Sequence, residues 1–505
     1  MSSRSASRAA TDPRVVLAIV SVGVLLSSLD LFIVNLAVPA MSEDLDAGLS
    51  GLSWVLNLYA IVFAALLVPA GRLGDRGGNR VVFLLGLTVF AAGSALCAAA
   101  WNVESLIVFR VVQAVGCALM TPSSLALVLA ATPPERRAGA VRLWVAFGGL
   151  GAALGPVVGG VLVAFDWRWV FLVNVPIGLA TLAIGLRRLP SPPAAGGPLP
   201  DLVGAGALIG AVGSLVLAVV QGPEWGWSSP GVLAAFAVAL ACGVLFAVSS
   251  ARHHSPLVDA SVLRLPNVVL AAVNSVVFQI AFAGMLLSAT LWAQDVWGWS
   301  ALRAGLAIAP GPLVVPFVAI LAGRLIGRVG PGPVIAAGGF AFGGGLLWWA
   351  LAIALSPDYV SGMLGGMLLT GVGVGLIVPT AFAAGSSALP PASFATGSGV
   401  LSMARQLGLA GGVAVLVAVL GTPDSPVATL EAFRRAWWVM AAVAVFAGLL
   451  GLGLRRTSPG GATREPSDAP EQHRAQEHLI PQESSGERTH HHRPAVSPED
   501  TTVRP

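Results

Sequence analysis

The sequence predicts an all-α polytopic membrane protein of fourteen spans, on three observations. The composition is too apolar for a water-facing surface, apolar blocks of bilayer length recur along the chain, and arginines gather on alternate sides of those blocks. Of 505 residues, 56% are hydrophobic and 10% charged, against about 25% charged in soluble proteins. Mean hydropathy is +0.83. A formal charge of +4 gives no reason to expect nucleic acid as a partner. All 28 basic residues are arginines. Without lysine there is no Walker A loop and no Schiff-base lysine, so a P-loop ATPase and pyridoxal or retinal chemistry are excluded. Cys97, Cys117 and Cys242 sit inside apolar runs and read as packing residues rather than a disulfide or metal framework. The chain has no nucleophile motif and no cofactor loop, so neither an enzyme, a metal site nor a bound cofactor is expected.

The spans start near Val15, Trp54, Val81, Glu104, Gly139, Trp169, Leu202, Val232, Val268, Ala304, Val334, Ser361, Thr396 and Trp438. The arginine-led N-terminus resembles a signal peptide, but its apolar core is too long and many similar blocks follow, which makes it a retained first span. Basic residues mark inner loops: Arg72, Arg76 and Arg80, then Arg136, Arg137 and Arg142, then Arg187 and Arg188, and further sets ending at Arg455 and Arg456. Outer loops hold acids such as Glu43, Asp44, Asp46 and Glu224, while Arg434 and Arg435 run against the scheme. An even number of spans places both termini in the cytoplasm.

An internal repeat sets the architecture. "GRLGDRGG" (Gly71 to Gly78), after span 2, recurs as "GRLIGRVG" (Gly323 to Gly330), after span 10. Two parallel six-helix bundles with two inserted helices are the layout of a rocking secondary transporter. The expected division is a cytoplasmic segment (1–13), a first bundle (14–190), a linker with two inserted spans (191–255), a second bundle (256–456) and a disordered polar tail (457–505).

Candidate functional residues are polar groups where none are needed for solubility. Asp30 lies roughly 20 Å into the first apolar run, where a carboxylate costs several kcal/mol unless it is protonated, paired or wet. Arg110 and Gln113 are one helical turn apart in span 4, so they share a face, and an arginine there should point inward. In the first repeat loop Gly71, Arg72, Asp75, Arg76, Gly78 and Arg80 set one acid among three bases in a tight turn. Asp75 is expected to pair with arginines of its own or a neighbouring helix and lock that face shut. "GAALGPVVGG" in span 5 (Gly151, Gly155, Pro156, Gly159, Gly160) offers close helix approach plus a bend, and reads as a pivot or seal rather than a ligand contact. Asn35, Asn57, Tyr59, Gln113, Asn174, Gln279 and Arg405 are candidate cavity lining. The tryptophans Trp292, Trp297, Trp299, Trp348, Trp349, Trp437 and Trp438 are expected mainly at the interfacial belts.

Several stretches carry a resemblance. "LDLFIVNLAVPAM", "GRLGDRGGNR", "RVVQAVG", "GAALGPVVGG", "WRWVFLVNVPIG" and "SMARQLG" each stand in the expected span. Together they resemble the major facilitator superfamily and, within it, the fourteen-span drug:proton antiporters of QacA/EmrB type. Phe32, Asn79, Ala114 and Gly327 depart from the usual pattern. The resemblance implies the major facilitator fold, protons as the coupling ion, a small amphipathic substrate, and a monomer in the bacterial inner membrane. It also implies that Asp30 takes a proton from outside and releases it inward, its proton affinity following wetting and the position of Arg110. One charge across about 150 mV is worth roughly 3.5 kcal/mol, enough to drive export without ATP. An exporter of a dedicated metabolite and a non-transporting membrane sensor are the alternatives.

Overall fold

A computed structural model describes residues 12–47, 49–191, 201–421 and 423–455. The expected tail, nearly all of the N-terminal segment, and most of the proline-rich joint lie outside them, as do the side chains of Asn35 and Pro156. The described residues contain fourteen helices long and apolar enough to cross a membrane, one at each expected position. Spans 1 to 4 are Pro13–Asp44, Leu49–Gly77, Asn79–Ala98 and Val103–Ala131. Spans 5 to 8 are Pro134–Val163, Trp169–Arg188, Leu202–Trp225 and Pro230–Arg252. Spans 9 to 14 are Pro266–Val296, Leu302–Val329, Pro331–Ala352, Tyr359–Ser387, Pro391–Leu420 and Pro426–Gly451.

Local chemistry explains the starts. Asn102 and Ser105 close a capping box on span 4, Asp201, Ser229 and Ser425 cap spans 7, 8 and 14, and proline opens spans 5, 8, 9 and 14. Span 14 starts well before Trp438, which corrects the expected boundary. Arg434 and Arg435 lie inside the helix rather than in the loop before it, Arg434 half-buried and Arg435 exposed.

The repeat extends from sequence into packing. Gly78 and Gly330, the last residues of the two copies, have φ of +95° and +90° and reverse the chain into spans 3 and 11. Gly86 and Phe90 of span 3 meet Gly116 of span 4 at backbone distance, and Gly338 and Phe342 of span 11 meet Gly373 of span 12 in the same way. An L-residue in the left-handed region costs roughly 1–2 kcal/mol. Gly78→Ala and Gly330→Ala are therefore each expected to lower thermal stability, whereas Gly77→Ala, with open space at its Cα and an ordinary φ, should not. Melting temperatures of the three variants check this.

In the first half, span 1 packs on span 5, span 4 on spans 2 and 3, and span 6 on span 3. In the second half, span 11 packs on spans 12 and 14, span 9 on 13 and 14, and span 10 on 12. The halves meet where span 2 crosses span 13 and span 5 lies against spans 10 and 12. Spans 7 and 8 pack on each other, and span 7 attaches to spans 2 and 13. At the far end of span 1, Asp44 accepts a hydrogen bond from Trp167 Nε1 (3.0 Å) and pairs with Arg168 (2.8 Å). The tryptophans correct the belt expectation. Trp292, Trp349 and Trp437 are fully buried and meet one another and Phe433 at ring-centroid distances of 5.1–6.0 Å, so they are core of the second half. Trp348 and Trp438 are exposed.

Candidate functional site

Five spans place a polar cluster around Asp30 inside the first half. Span 1 can bring its carboxylate there because span 5 lies almost in backbone contact with it. A Cβ on Gly151 would strike the Leu25 carbonyl, and one on Gly159 would strike Ile33. Asp30 is wholly buried and Arg110 is 1% exposed. Arg110 Nη1 donates to Asp30 Oδ2 at 2.6 Å and to Gln113 Oε1 at 2.5 Å. Gln113 Nε2 donates to Asp30 Oδ1 and to Ser94 Oγ, both at 2.8 Å, and Asn174 Nδ2 donates to Asp30 Oδ1 at 3.1 Å. Arg110 Nε reaches the Val55 carbonyl at 3.4 Å, and its Cζ lies 3.9 Å from the centroid of the Tyr59 ring. Phe171 completes the wall, its ring centroid 5.7 Å from that carbon.

The carboxylate thus has three donors and one formal counter-charge, which is what an ionised acid needs away from water. The expected inward orientation of Arg110 holds, so this arginine does not snorkel. Gln113, Tyr59 and Asn174, expected as cavity lining, belong instead to this closed network: at one helical turn's spacing Gln113 faces Asp30 together with Arg110, and the Tyr59 ring is occupied by the guanidinium. Ser94 and Phe171 had no signal in the sequence beyond being a serine and an aromatic in apolar runs.

The repeat-loop face is closed by a different bond from the one expected. Asp75, 6% exposed, accepts from Ala395 N (2.9 Å), Thr396 N (2.8 Å) and Thr396 Oγ1 (2.6 Å). Its partner is therefore the N-terminus of the helix Phe394–Leu420 in the other half, not an arginine. Free amides and the positive end of the helix dipole make that terminus an acceptor's natural partner. The loop's bases go elsewhere. Arg72 Nη2 donates to Ser255 Oγ (3.2 Å), and Arg80 donates to Ser191 Oγ (2.6 Å) and the Leu186 carbonyl (2.5 Å). Arg76 is half-buried. Gly71 lets span 2 touch the Ala395 carbonyl, and Gly399 of span 13 touches the Leu67 carbonyl in return. Charge-assisted bonds to amides are each worth about 1.5–3 kcal/mol. Asp75→Ala is expected to speed amide exchange at Ala395 and Thr396 by roughly tenfold or more; unaltered protection would show that closure does not depend on this cap.

Between the halves lies an apolar cavity of about 90 Å³. Gly149 and Ala152 of span 5, Phe282 and Met285 of span 9, Val315 of span 10 and Met367 of span 12 contribute to it, and Thr370 adds a hydroxyl. Ala152 falls within the span 5 motif, so part of that stretch faces this cavity, while Gly160 abuts Leu302 of span 10 and Gly155 is buried. Asn57 Nδ2 donates to Gln221 Oε1 of span 7 (3.2 Å) and ties the inserted pair to the first half. Gln279 and Arg405 line a smaller chamber of the second half. Among the described residues no cluster of His, Cys, Asp and Glu could hold a metal ion.

This arrangement has relatives. The profile of the family described as Major Facilitator Superfamily matches residues 20–201 and 202–413. The methylenomycin A resistance protein of Bacillus subtilis is 33% identical over 403 residues, 79% of this chain and 86% of that one. The tetracenomycin C resistance and export protein of Streptomyces glaucescens is 34% identical over 400 residues, 79% of this chain and 74% of that one. In structure, the human organic anion transporter MFSD10 aligns with a TM-score of 0.63 over 87% of this chain and 99% of that one, at 16% identity, which speaks for the fold alone.

Proposed function

We propose that this chain, which belongs to the Major Facilitator Superfamily, exports drugs or a self-made antibiotic from a bacterial cytoplasm by exchanging them for protons. The observation that carries the reading is the buried Asp30–Arg110 pair. A carboxylate held by one arginine and two amides has two stable forms: ionised and paired, or protonated and released. An outward-wetted site would deliver the proton to Asp30 and free Arg110. An inward-wetted site would take the proton away and restore the pair. The Asp75 cap then closes the cytoplasmic face in the conformation seen here and must break for substrate to enter from that side. The apolar cavity between the halves, about 90 Å³, is smaller than a drug-sized pocket, and widening it as the halves part would make room for an amphipathic body. Protons are the coupling ion, and the protein works as a monomer in the inner membrane with both termini inside.

Relatives named for resistance to, or export of, individual antibiotics support the exporter reading over a dedicated metabolite carrier or a sensor. The test is growth of an efflux-deficient bacterial host on a panel of amphipathic antibiotics, with and without the gene and an uncoupler. The reading expects tolerance to rise about tenfold for some members and to vanish with the uncoupler, a tenfold gradient being worth about 1.4 kcal/mol. No shift for any compound would count against it.

A further inference from the structure

The second half holds a cation that the Asp30 network does not use. Arg405 lies about 17 Å along the helix Phe394–Leu420, near mid-depth of the membrane. Its Nε has no hydrogen-bond partner, and it forms no ion pair among the described residues. The side chain is half-buried, and a guanidinium with an unpartnered Nε and no counter-charge calls for water or an anion. Its chamber, shared with Asn274, Ser275 and Gln279, measures about 10 Å³, room for one water.

The position of that chamber gives the cation a use. It stacks directly on the apolar cavity along the same two helices. On span 9, Asn274 to Gln279 line the chamber and Phe282 to Leu286 the cavity. On span 12, Thr370 to Val374 line the cavity and Ile377 to Phe382 the chamber. One helical turn, about 5 Å, separates the lining of the apolar cavity from that of the chamber, to which Arg405 also contributes. Phe382, at the chamber's edge, stacks on Trp144 of the first half at 5.7 Å, so the chamber faces the seam along which the halves would part. No acid lines either compartment.

We propose that Arg405 is the substrate's anion anchor: the transported molecule is an amphipathic monoanion which, as the halves part and the small cavity widens, sets its apolar body there and its carboxylate, sulfonate or enolate on this guanidinium. This rests on the exporter reading and narrows it. An anion leaving and a proton entering also carry charge in the same direction, so such export responds to voltage as well as to pH.

A matched pair of probes tests it: 8-anilinonaphthalene-1-sulfonate and N-phenyl-1-naphthylamine share one apolar body and differ by the sulfonate. Binding is measured by calorimetry on the purified protein and pH-driven flux in proteoliposomes, for the wild type, Arg405→Gln and Arg405→Lys. Arg405→Gln should weaken sulfonate binding and flux by about tenfold or more and leave the neutral probe unchanged, with Arg405→Lys intermediate. Loss of both probes alike would make Arg405 structural, and loss of neither would make it irrelevant; either result overturns the proposal. Selective loss of sulfonate binding in a protein that transports nothing would uphold the anchor and overturn the exporter reading instead.

Discussion

Asp30→Asn is expected to reduce pH-gradient-driven export by roughly a hundredfold or more while the protein stays folded in the membrane, a drop that removing the coupling charge accounts for. The change is isosteric and keeps an oxygen for Arg110 or Gln113 to donate to, so the packing of span 1 on span 5 survives. What it removes is the carboxylate that the proposed cycle protonates and deprotonates. Arg110 is left buried without its counter-charge, and breaking such a pair from one side costs about 3–5 kcal/mol. A lowered melting temperature should therefore accompany the loss. Substrate exchange with no proton gradient should persist, because the apolar cavity is untouched. Flux assays in proteoliposomes, with and without an imposed pH difference, separate the two. If both decline equally, Asp30 holds the fold and does not couple.

Arg110→Gln is expected to be as damaging to coupled export, from the opposite side. The carboxyl loses its counter-charge and one of its three donors, so the paired state to which the proposed cycle returns cannot form. Arg110→Lys should recover only a small part. A lysine cannot bond Asp30, Gln113 and the Val55 carbonyl at once while lying flat on Tyr59. The double variant Asp30→Asn/Arg110→Gln discriminates further. It leaves no unpaired charge, so its stability should exceed that of either single variant, with a coupling of about 1–3 kcal/mol. Proton-driven export should stay absent. Recovery of transport in the double variant would mean that the pair serves stability alone.

Much of this was legible in the sequence, for a physical reason. In hydrocarbon a charge has few permitted surroundings, so Asp30 and Arg110 announced themselves, and the helical period placed Gln113 beside Arg110. The repeat loops fixed the two-half plan because a reversal at positive φ needs glycine at Gly78 and again at Gly330. Contacts between distant polar residues were not legible. Asn174 reaches Asp30 across 144 residues, and an asparagine in an apolar run has no unique partner. The partner of Asp75 was misread because arginines are visible as letters, whereas a helix's free amides at Ala395 and Thr396 are not. The partner of Asn57 was hidden for the same reason: Gln221 sits on an inserted helix whose docking no pattern in the chain specifies. The tryptophans went astray because belt and core demand the same residue, and only packing of spans 9, 11 and 14 decides between them.

The central claim is that the proton gradient, acting through Asp30 and Arg110, drives transport. Purified protein in sealed proteoliposomes, loaded with a fluorescent amphipathic substrate under an imposed pH difference and potential, measures it most directly. Uphill movement that stops when valinomycin and nigericin abolish both gradients, and that Asp30→Asn lacks from the outset, is the predicted result. Uphill movement that continues unchanged after both gradients are gone would contradict it.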